Sequence, residues 1–309
     1  MGIVRVAVLS CLGLGDGLIS LVLSHNLQAN GFEVTTFHPS LKALQGWFPH
    51  LPMQPLAQLR LEDLSGYDRI FLFHEKTPRM LEIQQYCQKQ MADKITILNP
   101  IATLGRDYPF WEEGRFDGSK PFVDNLITFC SDVLALPQST KDNGIRVPQG
   151  VQLHRYPKRV VIHPTSSRPS KNWPWERFER LASQLEQEGW EPHFLLTNEE
   201  KAVCPKSQRS PELCNLSEMA AFVAESGAMV GNDSGIGHLA SCLGLPTVTI
   251  CRNRQVSLFW RPAWAPGKVL FPPAWIPNLK GMRWRDRYWQ FFIPTQAVLK
   301  AFRSLGSVA

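Results

Sequence analysis

The chain has no Cys-x-x-Cys pair, no His-x-x-x-His and no two aspartates one residue apart. Those are the spacings that announce common metal sites, so neither a metal ion nor a cofactor enters the expected chemistry. The cysteines at 11, 87, 130, 204, 214, 242 and 251 are odd in number, which favours reduced thiols in a cytoplasmic protein over a disulfide framework. No apolar run approaches the ~20 residues needed to span a bilayer, so integral insertion is not expected. Val8-Leu9-Ser10-Cys11 faintly resembles a lipoprotein cleavage site but lies too close to Met1, and a glycine-rich loop carrying Asp16 follows it. Low-complexity tracts and short repeats are lacking too. The net charge of +6 is spread along the chain, except for a cluster at Lys280, Arg283, Arg285 and Arg287. No nucleic-acid module is built from it. Anionic lipid or a phosphorylated saccharide fits such a charge, and peripheral contact with the inner face of a membrane is compatible with it.

What is present is alternation of strand and helix signals, twice over. Val4–Ser10 reads as a strand, Cys11–Gly17 as a glycine-rich loop, and Leu18, Leu21, Val22, His25 and Ala29 as one face of a helix ending before Gly31. Strands follow at Glu33–Phe37, Asp68–His74 and Lys94–Leu98, with a helix over Pro78–Ala92. Tyr108–Pro121 reads as loop and Phe122–Leu136 as helix. Pro137–Lys158, with Asp142-Asn143-Gly144 and three prolines, reads as a linker. The pattern then restarts with strands at Arg159–His163 and Pro192–Thr197 and helices at Pro174–Glu188, Leu216–Glu225 and Thr295–Leu305. The expectation is α/β, two domains with parallel sheets, residues 1–150 and 151–309. Loops at the carboxyl ends of such strands are where ligands bind.

The stretch Met229–Cys251 organises the chain. An apolar run enters the turn Gly231–Gly237; His238, Leu239, Cys242 and Leu243 then recur at helical spacing until Gly244, and a β-branched run opens at Pro246. A helix N-terminus at Asp233-Ser234-Gly235 offers free N–H groups to a phosphate. A carboxylate alone would repel that phosphate, so Asp233 suits a turn or a sugar hydroxyl, or caps the helix. Gly13-Leu14-Gly15-Asp16-Gly17 fails the dinucleotide fingerprint, because Leu18 stands at its third glycine. Asp16 is either a helix cap or a general base. In His163–Pro174, Thr165, Ser166 and Lys171 can serve an anion or merely form a solvated turn.

The run Asn232-Asp233-Ser234-Gly235-x-x-His238-Leu239-Ala240, with Leu243-Gly244-x-Pro246, resembles the carboxyl-terminal signature of the family 9 glycosyltransferases, the lipopolysaccharide heptosyltransferases and their relatives. The Gly-Asp opening at Asp16 and the His/Pro–hydroxyl–Lys–Trp-Pro order from His163 resemble its other motifs. The resemblance implies a GT-B-like fold of two facing Rossmann-like domains, whose last helix is free to pack back on the first. It implies inverting, metal-independent transfer of a sugar, heptose by analogy, from a nucleotide diphosphate sugar such as ADP-heptose to a lipopolysaccharide-core-type acceptor. Asp16 would be the base. Thr165, Ser166, Lys171, Asp233, Ser234, Gly235 and His238 would hold the donor, with Glu199 or Glu200 near its ribose, though His238 and at least one glutamate also suit purely structural roles. Cys251-Arg252-Asn253-Arg254 departs from the glycine-containing loop usual there, so acceptor and base specificity do not carry over. Arg252, Arg254, Trp260, Arg261, Trp264, Trp275, Trp284 and Trp289 could grip an acceptor, sit at a membrane surface or staple a loop-rich segment to the core. A noncatalytic saccharide-binding relative and a GT-B-like nucleotide-sugar epimerase remain the alternative classes.

Overall fold

The computed structural model describes residues 2–100, 116–278 and 282–305. Much of the loop expected over Tyr108–Pro121, and Lys280 of the basic cluster, lie outside the described residues. The chain forms two compact units, Met1–Arg146 and Val147–Ala309.

The first unit runs β1 (Arg5–Leu9), α1 (Leu14–Ala29), β2 (Glu33–Phe37), β3 (Met53–Gln54), β4 (Arg69–Phe73), α2 (Pro78–Gln90), β5 (Ile95–Leu98) and α3 (Phe122–Thr128). Its sheet is parallel throughout, in the order β3-β2-β1-β4-β5. The two strands at its middle carry unbroken apolar runs, Val6–Leu9 and Ile70–Phe73, and all eight side chains are buried. Such runs suit strands covered on both faces, as a parallel sheet flanked by helices requires. The helix expected over Phe122–Leu136 is α-helical only to Thr128 and widens into a π turn over Phe129–Val133.

The second unit runs β6 (Tyr156–His163), α4 (Trp175–Gln187), β7 (Glu191–Phe194), α5 (Asn198–Val203), α6 (Leu216–Ala224), β8 (Ser226–Asn232), α7 (Gly235–Cys242), β9 (Thr247–Ile250), α8 (Arg254–Trp260), β10 (Gly267–Leu270), α9 (Trp284–Arg287) and α10 (Thr295–Arg303). Its sheet is again parallel, ordered β10-β9-β8-β6-β7. Every residue of β8 is buried. At its carboxyl end Gly231 faces His163 of β6, and a Cβ there would stand 2.6 Å from the His163 carbonyl oxygen, so the two strand ends approach this closely only because residue 231 is glycine.

Helix α4 buries Phe178, Leu181 and Leu185, the face its spacing predicts. Helix α10, which the resemblance leaves free to pack on the first domain, spends its apolar face in the second unit's core: Val298, Leu299 and Phe302 join Trp173, Phe178 and Trp289 there. Phe302 meets Trp190 edge-on at 5.0 Å. Among the described residues no helix is long and apolar enough to cross a membrane.

Candidate functional site

In open parallel sheets, ligands settle outside the carboxyl ends of the strands where the strand order reverses. That point lies between β1 and β4 in the first unit and between β6 and β8 in the second. Each residue singled out from sequence falls in a segment leaving one of these edges: Asp16 after β1, Thr165, Ser166 and Lys171 after β6, Glu199 and Glu200 after β7, and Asp233 to His238 after β8.

In the first unit, the loops leaving β1 and β4 are tied together. Leu12 N–H donates to Glu75 Oε2 at 3.0 Å, and the Cys11 thiol lies 3.6 Å from the Phe73 carbonyl oxygen. Burial pushes the Cys11 thiol up, and the negative charges of Asp16 and Glu75 push it further. The thiol is therefore inert, and two carboxylates converge beside it.

Asp16 sits in the first turn of α1, whose N-cap is Gly13. Its Oδ2 folds back over Gly13, where a side chain would displace the carboxylate. His38, fully buried, fixes this turn. Its Nδ1 accepts the Ser40 and Leu41 N–H groups at 3.0 and 3.1 Å, so Nε2 carries the proton and donates to the Gly13 carbonyl at 3.0 Å. Burial lowers His38 to about 4 and keeps it neutral at pH 7.

In the second unit, Asn232 at the end of β8 clamps the neighbouring loop. Its Oδ1 accepts the Trp173 N–H at 2.9 Å and its Nδ2 donates to the Pro164 carbonyl at 2.5 Å. The segment between those two points carries Thr165, Ser166 and Lys171. Ser166 Oγ closes it internally, 2.7 Å from Asn172 Oδ1. Thr165 Oγ1 donates to Glu200 Oε1 at 2.5 Å and lies 3.1 Å from His163 Nε2. Its hydroxyl is thus engaged inside the protein rather than presented to a ligand. Glu200 is committed as well: its other oxygen accepts the Thr197 N–H at 2.8 Å while Thr197 Oγ1 accepts the Glu200 N–H, a reciprocal cap on α5. Of the two glutamates, Glu199 is the exposed one.

The turn between β8 and α7 is left open. Ser234 is the N-cap of α7 yet makes no side-chain cap bond, so the helix keeps its positive N-terminus available. Ser234 Oγ and, one turn on, His238 Nδ1 are buried without a hydrogen-bond partner. His238 donates its other ring N–H to the Trp260 carbonyl, and burial lowers it to about 4, so Nδ1 is a bare acceptor. Burial pushes the Asp233 carboxyl up, and the nearby Lys171 ammonium pulls it back down. Both charges also act on the Cys251 thiol after β9, which burial pushes up. Lys171, Asp233 and the start of α7 therefore share one neighbourhood at the β6/β8 reversal. That neighbourhood can hold an anion through Lys171 and backbone N–H groups, and hydroxyls through Asp233, Ser234 and His238 Nδ1. Among the described residues, no group of three or more His, Cys, Asp or Glu is gathered to hold a metal ion.

Residues 117–269 match glycosyltransferase family 9 (heptosyltransferase). The chain belongs to glycosyltransferase family 9. Solved structures share the glycosyltransferase's GT-B-like fold along almost its whole length. E. coli ADP-heptose lipopolysaccharide heptosyltransferase II is 16% identical, with 97% of this chain and 98% of that one covered and a TM-score of 0.64. E. coli heptosyltransferase WaaC, solved with ADP, is 14% identical, covering 98% and 100% with a TM-score of 0.65. The iron-containing dodecameric glycosyltransferase TibC of enterotoxigenic E. coli is 12% identical, covering 97% and 75% with a TM-score of 0.59. At such identities the likeness is one of fold. No curated protein matches the sequence.

The glycosyltransferase also relies on residues that the motifs do not single out as functional. Asn232 lies inside the signature, and a polar side chain ending a buried strand has to find partners. His38 holds the Asp16 turn from a different strand. Both buried histidines with pKa near 4 make stability depend on pH. The folded state refuses protons that the unfolded state accepts near the ordinary value of 6.5, so stability is complete above pH 6.5 and erodes as pH falls toward 4. At ~1.4 kcal/mol per pH unit, each histidine accounts for about 3 kcal/mol of that loss. Urea unfolding at a series of pH values should show the decline, and His38→Gln should flatten it for the first unit. Equal pH slopes in wild type and variant would refute the assignment.

Proposed function

We propose that this glycosyltransferase transfers a heptose, with inversion and without a metal ion, from ADP-heptose to a hydroxyl of a lipopolysaccharide-core-type saccharide. The observation that supports it is the open N-terminus of α7 beside Lys171 and Asp233 at the β6/β8 reversal. A nucleotide diphosphate leaving group is strongly anionic. Lys171 and the N–H groups at Ser234-Gly235 would stabilise it as the sugar–oxygen bond breaks, the part a metal ion plays elsewhere. Asp233, Ser234 and His238 Nδ1 would order the sugar or phosphate oxygens, and Glu199 the ribose. Thr165 and Ser166 would contribute by shaping the loop, because their hydroxyls are bonded within the protein. Asp16 would take the proton of the acceptor hydroxyl as it attacks the anomeric carbon. The choice of ADP and heptose leans on the structural relatives, an ADP-heptose heptosyltransferase and a heptosyltransferase solved with ADP.

Thermal melting with ADP, UDP, GDP and dTDP in EDTA tests the reading. At 100 times its dissociation constant a ligand stabilises the native state by about 2.7 kcal/mol. Stabilisation by ADP above the other three, lost in Lys171→Ala, is the expected result, followed by release of ADP from ADP-heptose only when an acceptor is present. If no nucleotide moves the melting temperature, the donor site is not where it is placed here.

A further inference from the structure

Between β10 and α10 the described residues are largely irregular, yet they are anchored at several points. Ile276, Trp289 and Ile293 are buried. Trp289 Nε1–H donates to the Ser170 carbonyl at 3.2 Å, and Trp173 Nε1–H to the Ile293 carbonyl at 2.9 Å. Arg285 joins its two limbs, the N–H donating to the Pro277 carbonyl at 3.2 Å and the guanidinium to the Ala274 carbonyl at 3.0 Å. The stapling role of the carboxyl-terminal aromatics is therefore carried by Trp289 with Trp173.

Other large rings on the same segment are left out of the core. Trp275 is 80% exposed, Phe291 69% and Trp284 54%, with Met282 and Tyr288 also exposed. Tyr288 and Phe291 lie 6.3 Å apart. Cations are interleaved with them: Arg283, Arg285 and Arg287 stand in or beside α9, Arg252 follows β9 and Arg254 opens α8. The one carboxylate among residues 282–291, Asp286, is already engaged by Arg283 at 2.6 Å, with Arg252 at 3.9 Å, while its backbone N–H donates to Asn278 Oδ1 at 3.3 Å. Positive charge is thus in surplus along residues 282–291, whose one carboxylate is taken up by arginines.

Indole rings concentrate at the boundary between headgroups and acyl chains, and arginines pair with lipid phosphates just outside it. We infer that this aromatic and basic surface docks the protein on an anionic lipid bilayer. Trp275, Trp284 and Phe291 enter the interface while Arg283 and Arg287 meet the headgroups. The surface belongs to the second unit alone and does not depend on the donor-site reading.

Co-sedimentation of the full chain with phosphatidylcholine vesicles, with and without phosphatidylglycerol, tests the inference. The protein should pellet with the anionic vesicles at low salt and be released at high salt. Trp275→Ala combined with Phe291→Ala should lower partitioning on the order of tenfold, and Arg287→Ala about fivefold, each with an unchanged melting temperature. Failure to pellet with anionic vesicles would overturn the inference, as would pelleting indifferent to the aromatic pair. Binding of lipid-free core oligosaccharide that the double variant abolishes, without any vesicle binding, would overturn it in favour of an acceptor site.

Discussion

Replacing Asp16 with asparagine should lower the sugar-transfer rate by about 10²- to 10⁴-fold, the range associated with loss of a general acid or base. Asparagine keeps the shape of the side chain and an oxygen to lie over Gly13, but it cannot take a proton. The fold and the ADP-induced rise in melting temperature should therefore survive, since the donor-side residues belong to the second unit. A folded Asp16→Asn protein turning over at the wild-type rate would remove Asp16 from the chemistry and leave it as a helix-capping group. The local structure gives the residue little freedom to drift: His38 pins the Gly13 carbonyl, and a Cβ on Gly17 would come within 2.8 Å of His38 Nε2.

Asn232→Ala should be the most damaging of the conservative-sized changes on the donor side. It strands the Trp173 N–H and the Pro164 carbonyl, both buried bonds to one side chain that itself has no exposure to solvent. Leaving such groups unpaired costs on the order of 2–4 kcal/mol, a fall in melting temperature of roughly 5–10 °C. The loop between those anchors carries Lys171, so nucleotide affinity should fall as well. Asn232→Asp should not rescue the clamp, because a carboxylate can still accept from Trp173 but turns an acceptor toward the Pro164 carbonyl. Calorimetry paired with an ADP titration separates the two effects. A melting temperature indistinguishable from wild type would show that the loop is held by something else.

The central strands, their order of appearance and the signature turn were legible because unbroken apolar runs and glycine turns are local properties. Strand β3 has only two residues, too few for any period. Strand β10, Gly-Lys-Val-Leu, is a half-covered edge whose pattern shows neither alternation nor an apolar run. Helix α8 was missed although its cap was in plain view: Asn253 Oδ1 accepts the Gln255 and Val256 N–H groups. Within the site, residue types announced an anion-binding turn, but not which hydroxyls were free. Thr165 and Glu200 are 35 residues apart, and their mutual bond, which turns one from ligand group to brace and the other from ribose contact to helix cap, has no trace in spacing. His38 and Gly13, 25 residues apart on different elements, pose the same difficulty.

The strand order has a consequence for how the chain is made. In both sheets the first strand synthesised, β1 or β6, lies inside the sheet, and each later strand pairs onto an existing edge, never between two strands already joined. Each sheet can therefore grow outward as the ribosome delivers it, without reopening pairs already formed. At every stage the unfinished sheet has an exposed rim but no internal gap, and only that rim has to be kept from neighbouring chains until the next strand arrives.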